Sequence, residues 1–247
     1  MPAFTKHENN SWISNPTAMG PFTGLQGGGV AGLLVSELET MGDEMTLGQA
    51  VSASVEFLRP TRQQPLRSEP SIIRRGRRTS VLINRLYEGG RQTAQATVCF
   101  VTPVAMPTIE SPPETLHNPS TLAPLPPKPA IHGNPWMMDN FAVRRAKDGI
   151  VWFEYLDDIV DGMKPLASVL GPADWTHGLS RPSTPKLADP NVNLQVCVSR
   201  HPIGDHIGVR PMTTWMPTGN GMGEGMLYDT AGPFGRVMMA VALTEFE

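Results

Sequence analysis

Cysteine is scarce: Cys99 and Cys197 are the two in 247 residues. Both stand in apolar alternating runs without metal-ligand spacing, which argues against zinc. Two buried, inert thiols in a reducing compartment are expected. An apolar signal-type core is missing from MPAFTKHENNSW, and no run approaches the length of a membrane-crossing helix, so the expected address is cytoplasmic. Net charge is also small, formally -3, which gives no electrostatic case for a nucleic-acid or membrane-surface partner. A local basic cluster, Arg74, Arg75, Arg77 and Arg78, suits a turned loop as well as a phosphate site. Hydrophobic residues make up 40% of the chain, enough to bury a core in one large domain or two small ones.

Proline and glycine, by contrast, are plentiful, at 25 and 24 residues. From Pro103 to Pro135 a proline recurs every few residues, which forbids sheet or helix interior and predicts an extended linker over a surface. On either side the chain repeats itself. Val55-Glu56-Phe57-Leu58-Arg59-Pro60 is echoed by Val196-Cys197-Val198-Ser199-Arg200-His201-Pro202, and Leu86-Tyr87 by Leu227-Tyr228. Pro60 to Tyr87 and Pro202 to Tyr228 span 27 and 26 positions, so a tandem duplication is expected. Its units are residues 1–106 and 137–247, joined by a Pro-rich linker over 107–136.

Each unit has one helix candidate followed by strands of period two. Gly27-Gly28-Gly29 opens a run, Val30 to Glu39, that is apolar on nearly all sides before Glu37 and predicts a deeply buried helix. The second candidate, Pro165 to Leu170, is expected to stop near Gly171-Pro172. Val81–Tyr87 and Gln92–Phe100 flank a glycine turn as a hairpin, and Asp229-Thr230-Ala231-Gly232 makes the equivalent turn later. One buried helix wrapped by an antiparallel sheet, twice over, is an α+β class, double-hotdog arrangement. Gly219-Asn220-Gly221-Met222-Gly223-Glu224-Gly225 resembles a phosphate loop but precedes a strand, so a bulged strand or hairpin edge is expected.

Gly20-Pro21-Phe22, Gln26-Gly27-Gly28, Phe57-Leu58-Arg59-Pro60, Arg75-Gly76-Arg77-Arg78 and Leu86-Tyr87 follow one another in the first unit. Ala173-Asp174, Gly178-Leu179-Ser180, Asn193-Leu194, Arg200, Pro202, Leu227-Tyr228-Asp229 and Gly232-Pro233 follow in the second. In this order the chain resembles the acyl-CoA thioesterase II-like double-hotdog proteins over nearly its whole length. The resemblance implies hydrolysis of a fatty or aromatic acyl-CoA thioester with no cofactor. It also implies an aspartate, a threonine and a glutamine, all in the second unit, that hold the attacking water. The aspartate position falls at or beside Asn193 and the threonine position at Thr214, with Thr213 one register step away. The glutamine position falls near Met239 or Ala240, where no glutamine stands.

Catalytic roles are therefore expected at Asn193 and Thr214, although an amide orients water and is a poor base. Substrate contact is expected at Gln26, Gly27 and Gly28, where free N–H groups at a helix start would polarise a thioester carbonyl. Close helix packing explains the same glycines equally well. His177 beside Asp174 fits a base, or more simply a turn that caps a helix. His132, His201 and His206 have no partner pattern and read as surface or packing residues. The tryptophans (Trp12, Trp136, Trp152, Trp175, Trp215) and the methionines of the second unit fit an acyl tunnel, and fit core filling better. Two other functions remain open: a non-catalytic acyl-CoA or small-lipid binder that has lost the carboxylate, and a hydratase or dehydratase using Asp174 and His177. A double hotdog already contains the pairing that single-repeat relatives obtain by dimerising, so a homo-oligomer is allowed and not required.

Overall fold

The computed structural model describes residues 1–7, 11–107, 116, 118–128, 130, 133, 135–180 and 187–245. His132 and several linker prolines (Pro112, Pro113, Pro129) lie outside them.

The N-terminal half runs β1 (Phe4–Lys6), β2 (Ser11–Ser14), α1 (Gly27–Glu44), β3 (Gln49–Phe57), β4 (Leu66–Arg74), β5 (Thr79–Glu88) and β6 (Arg91–Val101). The C-terminal half runs β7 (Phe141–Arg145), β8 (Val151–Tyr155), α2 (Ala167–Asp174), α3 (Thr176–Leu179), β9 (Leu187–Ala188), β10 (Asn193–Val198), β11 (His206–Trp215), β12 (Asn220–Asp229), β13 (Gly232–Ala242) and β14 (Thr244–Glu245). Apart from the small β9–β14 pair, the strands form one sheet in the order β1-β2-β4-β5-β6-β3-β10-β13-β12-β11-β8-β7. Outward from the central β3–β10 pair, the first half reads β3, β6, β5, β4, β2, β1, and the second reads β10, β13, β12, β11, β8, β7. The order is the same in both directions, so β3 corresponds to β10, β5 to β12 and β6 to β13. The Arg-Pro and Leu-Tyr echoes sit at equivalent strand ends.

Both helices lie on one face of this sheet. Leu33, Leu34 and Leu38 of α1 are completely buried, each worth roughly 1.5–3 kcal/mol. The helices run antiparallel in close contact, because a Cβ on Gly28 would stand 2.7 Å from the Leu170 carbonyl oxygen. A carboxyl from each helix caps the other. Glu39 of α1 accepts from the backbone N–H groups of Leu166 (3.0 Å) and Ala167 (2.8 Å) at the start of α2. Asp174 at the end of α2 accepts from the Gly28 N–H at the start of α1.

The expected stop at Gly171-Pro172 is corrected: α2 continues through both residues to Asp174. Pro172 has no N–H for the Ser168 carbonyl, and the Tyr155 hydroxyl on β8 donates to that carbonyl instead, at 2.8 Å. The glycine run is corrected too. Residues 220–229 form β12, an interior strand between β11 and β13, and its register shift falls at Leu227/Tyr228. The cysteines are not buried: Cys99 is half-buried and Cys197 exposed, both on the outer face of the sheet. Among the methionines, Met137 and Met239 belong to the core, while Met212, Met222 and Met238 are exposed on the outer face. In the linker, Leu116 and Leu122 rest on Trp152, Tyr228 and Ile150, and the Leu125 N–H bonds the Val143 carbonyl of β7.

Candidate active site

Side-chain alternation sorts the expected residues. On β11, Ile207 and Val209 are buried towards the helices, so Pro211, Thr213 and Trp215 share that inner face, while Met212 and Thr214 face outward and are exposed. On β10, Leu194, Val196 and Val198 point inward, leaving Asn193, Gln195 and Cys197 outward. Asn193 therefore lies on the face opposite α1, where its Oδ1 accepts from the Ala240 N–H at 2.8 Å. Two strands separate β10 from β11, which puts Asn193 and Thr214 about 14 Å apart. The expectation that Asn193 and Thr214 hold one water next to Gly28 is corrected: they are far from each other and on the wrong face.

At the start of α1, Gln26 is the N-cap. Its Oε1 accepts from the Gly29 N–H at 2.7 Å, and its Nε2 donates to Asp174 Oδ2. Asn191 Nδ2 donates to the other Asp174 oxygen at 2.8 Å. The Gly28 N–H, expected to meet substrate, is committed to Asp174 instead, and Gly28 serves close approach of the two helices. Gly27 sits against Asp174 and Phe57. Burial pushes the Asp174 carboxyl above its ordinary range, while nearby His177 and the donors from Asn191 and Gly28 pull it back.

The inner face of the C-terminal half holds the second part of the site. Thr213 of β11 is opposite Gly223 of β12, and Gly223 is opposite Met239 of β13. Helix α3 lies directly over Gly223, since a Cβ there would be 3.2 Å from the His177 Cβ and 3.1 Å from the Met239 Cγ. The glycine-rich strand thus lets a four-residue helix come down onto the sheet. Ser180, just past α3, hydrogen-bonds the Thr213 hydroxyl. His177 Nδ1 is 3.1 Å from the Met239 sulfur, and Nε2 is 3.9 Å from Oδ2 of Asp189, a carboxylate only 3% exposed. Of the two candidates for the glutamine position, Met239 faces inward and Ala240 outward. Trp136 and Trp175 meet edge to face, 5.4 Å apart, and Trp175 stands two residues before His177.

Asp189 escapes a reading of the sequence. It follows a two-residue strand with no periodicity to mark it, and its only local sign is an Asp-Pro step just before an alternating strand. Among the described residues, no group of three or more His, Cys, Asp or Glu side chains is arranged to hold a metal ion. A shallow depression of about 430 Å³ on the outer face, lined by Cys197, Ser199, Met226 and Arg236 among others, contains no carboxylate and is remote from this cluster.

Residues 15–101 match the family model of the acyl-CoA thioesterase N-terminal domain. The likeness to that family covers this stretch alone. Solved structures extend the likeness to the full chain. A hot dog fold protein of unknown function from Alicyclobacillus acidocaldarius aligns with a TM-score of 0.73 at 17% identity, over 98% of this chain and 96% of its own. The acyl-CoA thioesterase II TesB2 of Mycobacterium marinum gives 0.70 at 15%, over 99% and 96%. The tesB protein of Mycobacterium avium subs paratuberculosis gives 0.66 at 14%, over 95% and 93%. No curated protein matches the chain by sequence. At these identities the likeness establishes the α+β double-hotdog fold.

Proposed function

We propose that the protein hydrolyses an acyl-CoA thioester at the cluster formed by Asp189, His177, Thr213 and the start of α1, with residues 1–106 and 137–247 as the two repeats and 107–136 as the strap between them. The observation that carries this reading is the buried Asp189–His177 pair. Its 3.9 Å separation is too long for a direct hydrogen bond and suits one water donating to both groups. In the neutral tautomer that directs Nδ1–H at the Met239 sulfur, His177 Nε2 accepts from that water.

In this mechanism the water oxygen attacks the thioester carbonyl carbon while Asp189 takes its proton. The developing oxyanion meets the Gly27 N–H, the amide that the Gln26 and Asp174 side chains leave over at the positive end of α1. Collapse breaks the C–S bond, and the proton passes to the leaving thiolate, giving a free acid and a thiol. Gln26 holds the first turn of α1 in place through its bonds to Gly29 and Asp174. Thr213 fixes α3 through Ser180 and presents its hydroxyl beside His177. Apolar surface for the acyl chain comes from Trp136, Trp175 and Met239.

Thiol release from a panel of acyl-CoAs tests this directly. Wild type should turn over, and Asp189→Asn should lose about 10²–10⁴-fold while still binding the ester. Full activity in Asp189→Asn would remove the site. A wild type that binds every acyl-CoA and hydrolyses none would leave a binding protein.

A further inference from the structure

The two halves supply an internal control for the outer face of the sheet. Strands β5 and β12 carry the same register shift, at Leu86/Tyr87 and Leu227/Tyr228, so Tyr87 corresponds to Tyr228 and Ile83 to Glu224. On β5 the outward Ile83 lies between Ser71 of β4 and Thr97 of β6, with Val81 two residues before it. On β12 the outward Glu224 lies between Met212 of β11 and Met238 of β13, with Met222 two residues before it. The first half thus sets an apolar side chain, only 8% exposed, among small and β-branched neighbours. The second half inverts the pattern and rings a carboxylate with thioethers.

Folding does not require this arrangement. Strand positions of this kind favour β-branched side chains, as Val81 and Thr97 of the first half illustrate. Met212, Met222 and Met238 are 61%, 42% and 46% exposed, so they fill no core. Met212 and Met238 stand directly opposite Glu224 on either side, a Cβ separation of about 4.5–5.5 Å in such pairs. Met222 is diagonal to both, at about 7–8 Å, a gap that long side chains still bridge. Three flexible side chains can therefore bring their sulfurs together above one carboxylate. Met226 also adjoins Glu224 on β12, but it stands opposite Arg210 on one side and Arg236 on the other, and their charges oppose a cation there. A thioether is a soft, neutral donor, which suits copper(I) and not hard cations such as magnesium or calcium. Glu224 supplies the negative charge that offsets a bound ion.

We propose that Met212, Met222 and Met238, above Glu224, form a site for one soft univalent metal ion of the copper(I) class. The site lies on the face of the sheet opposite the helices, so it stands whether or not the inner cluster hydrolyses thioesters.

Silver(I), equal to copper(I) in charge and similarly soft, is the probe. It is titrated into the full chain carrying Cys99→Ser/Cys197→Ser, which removes competing thiolates, with the methionine methyl groups labelled for NMR. Calorimetry should show one equivalent bound. The methyl resonances of Met212, Met222 and Met238 should shift, while that of the fully buried Met137 should not. Met212→Leu/Met222→Leu/Met238→Leu, near volume-conserving exchanges at exposed positions, should abolish this binding and leave the melting temperature unchanged. Glu224→Gln should weaken it about 10–100-fold. Copper(I) presented as its bicinchoninate complex without oxygen should pass to the protein and not to the leucine variant. Zinc(II) should leave the three methyl groups unshifted. No binding at micromolar silver, binding retained by the leucine variant, shifts confined to Met239 beside His177, or equal shifts with zinc would each overturn the proposal.

Discussion

In the N-terminal half the helix runs from Gly27 to Glu44 without a break; in the C-terminal half the same place is filled by Ala167–Asp174, a turn at Trp175, and Thr176–Leu179. The strands around them follow one order. The facing sheet differs. Beneath α1, β5 carries the fully buried Leu82 and Leu86, which hold the helix at normal distance. Beneath α3, β12 carries Gly223 and Gly225, and the helix descends until the His177 Cβ is in contact range of the strand. The first half uses its helix for stability. The second breaks its helix and gains, from the step down, a place where a histidine, a threonine and a buried aspartate meet. Duplication supplies the spare copy in which such a loss of regular helix is tolerated.

That contrast is sharpest at Gly223. Gly223→Val would push side-chain atoms against the Met239 Cγ and the His177 Cβ, both already within 3.2 Å of a Cβ position. Overpacking of this kind costs about 1–3 kcal/mol. Displacing His177 by even an ångström should lower thioester turnover about 10²-fold. Thermal melting and thiol release, measured on the same sample, separate the two effects. Activity that falls only in step with the folded fraction would show that the close approach of α3 serves packing alone.

The two interhelix caps extend the comparison to pH. Burial raises the Glu39 carboxyl from 4.5 to about 7, against the pull of two backbone N–H donors. Between those values the folded state binds a proton that the unfolded chain does not. The contribution is therefore complete below pH 4.5 and is lost as pH rises through about 7, by about 3 kcal/mol. Asp174 is also raised by burial, so its contribution declines with rising pH in the same sense. Glu39→Gln should flatten the stability profile between pH 4.5 and 7 in chemical denaturation. An unchanged slope would mean that the carboxyl is not the titrating group.

Much of this could be read from the chain. The duplication was legible because Arg-Pro and Leu-Tyr mark strand ends, where local constraint is strong. Helix α1 was legible because nothing polar interrupts it before Glu37. Pro172 misled because the carbonyl it orphans is satisfied by Tyr155, whose hydroxyl arrives from another strand. The glycine run of β12 misled because its purpose is to admit α3, which no local pattern reports. Asp189 carried no periodic signal, and its significance depends on His177 lying nearby in space. Thr213 and Thr214 were undecidable, since Met212-Thr213-Thr214-Trp215 offers no apolar–polar contrast from which to take a face.

That last ambiguity yields the prediction with the smallest expected effect. Thr213 and Thr214 differ by one residue and therefore by one face of the sheet. Thr213 meets Ser180 and lies opposite Gly223, beneath His177; Thr214 is exposed on the other side. Thr213→Val removes a hydroxyl from the inner cluster and should reduce thiol release about tenfold, with folding retained because valine fits a strand position of this size. Thr214→Val should change the rate by less than about twofold, since an exposed strand substitution away from a site typically costs within about 0.5 kcal/mol. Asn193→Asp, on the same outer face, should likewise leave the rate alone. Adding a carboxylate there places a potential base behind the sheet, where no bond in the inner cluster can reach it. A faster Asn193→Asp enzyme, or a slow Thr214→Val with a normal Thr213→Val, would put the reacting water on the outer face and overturn the assignment of Asp189 and His177.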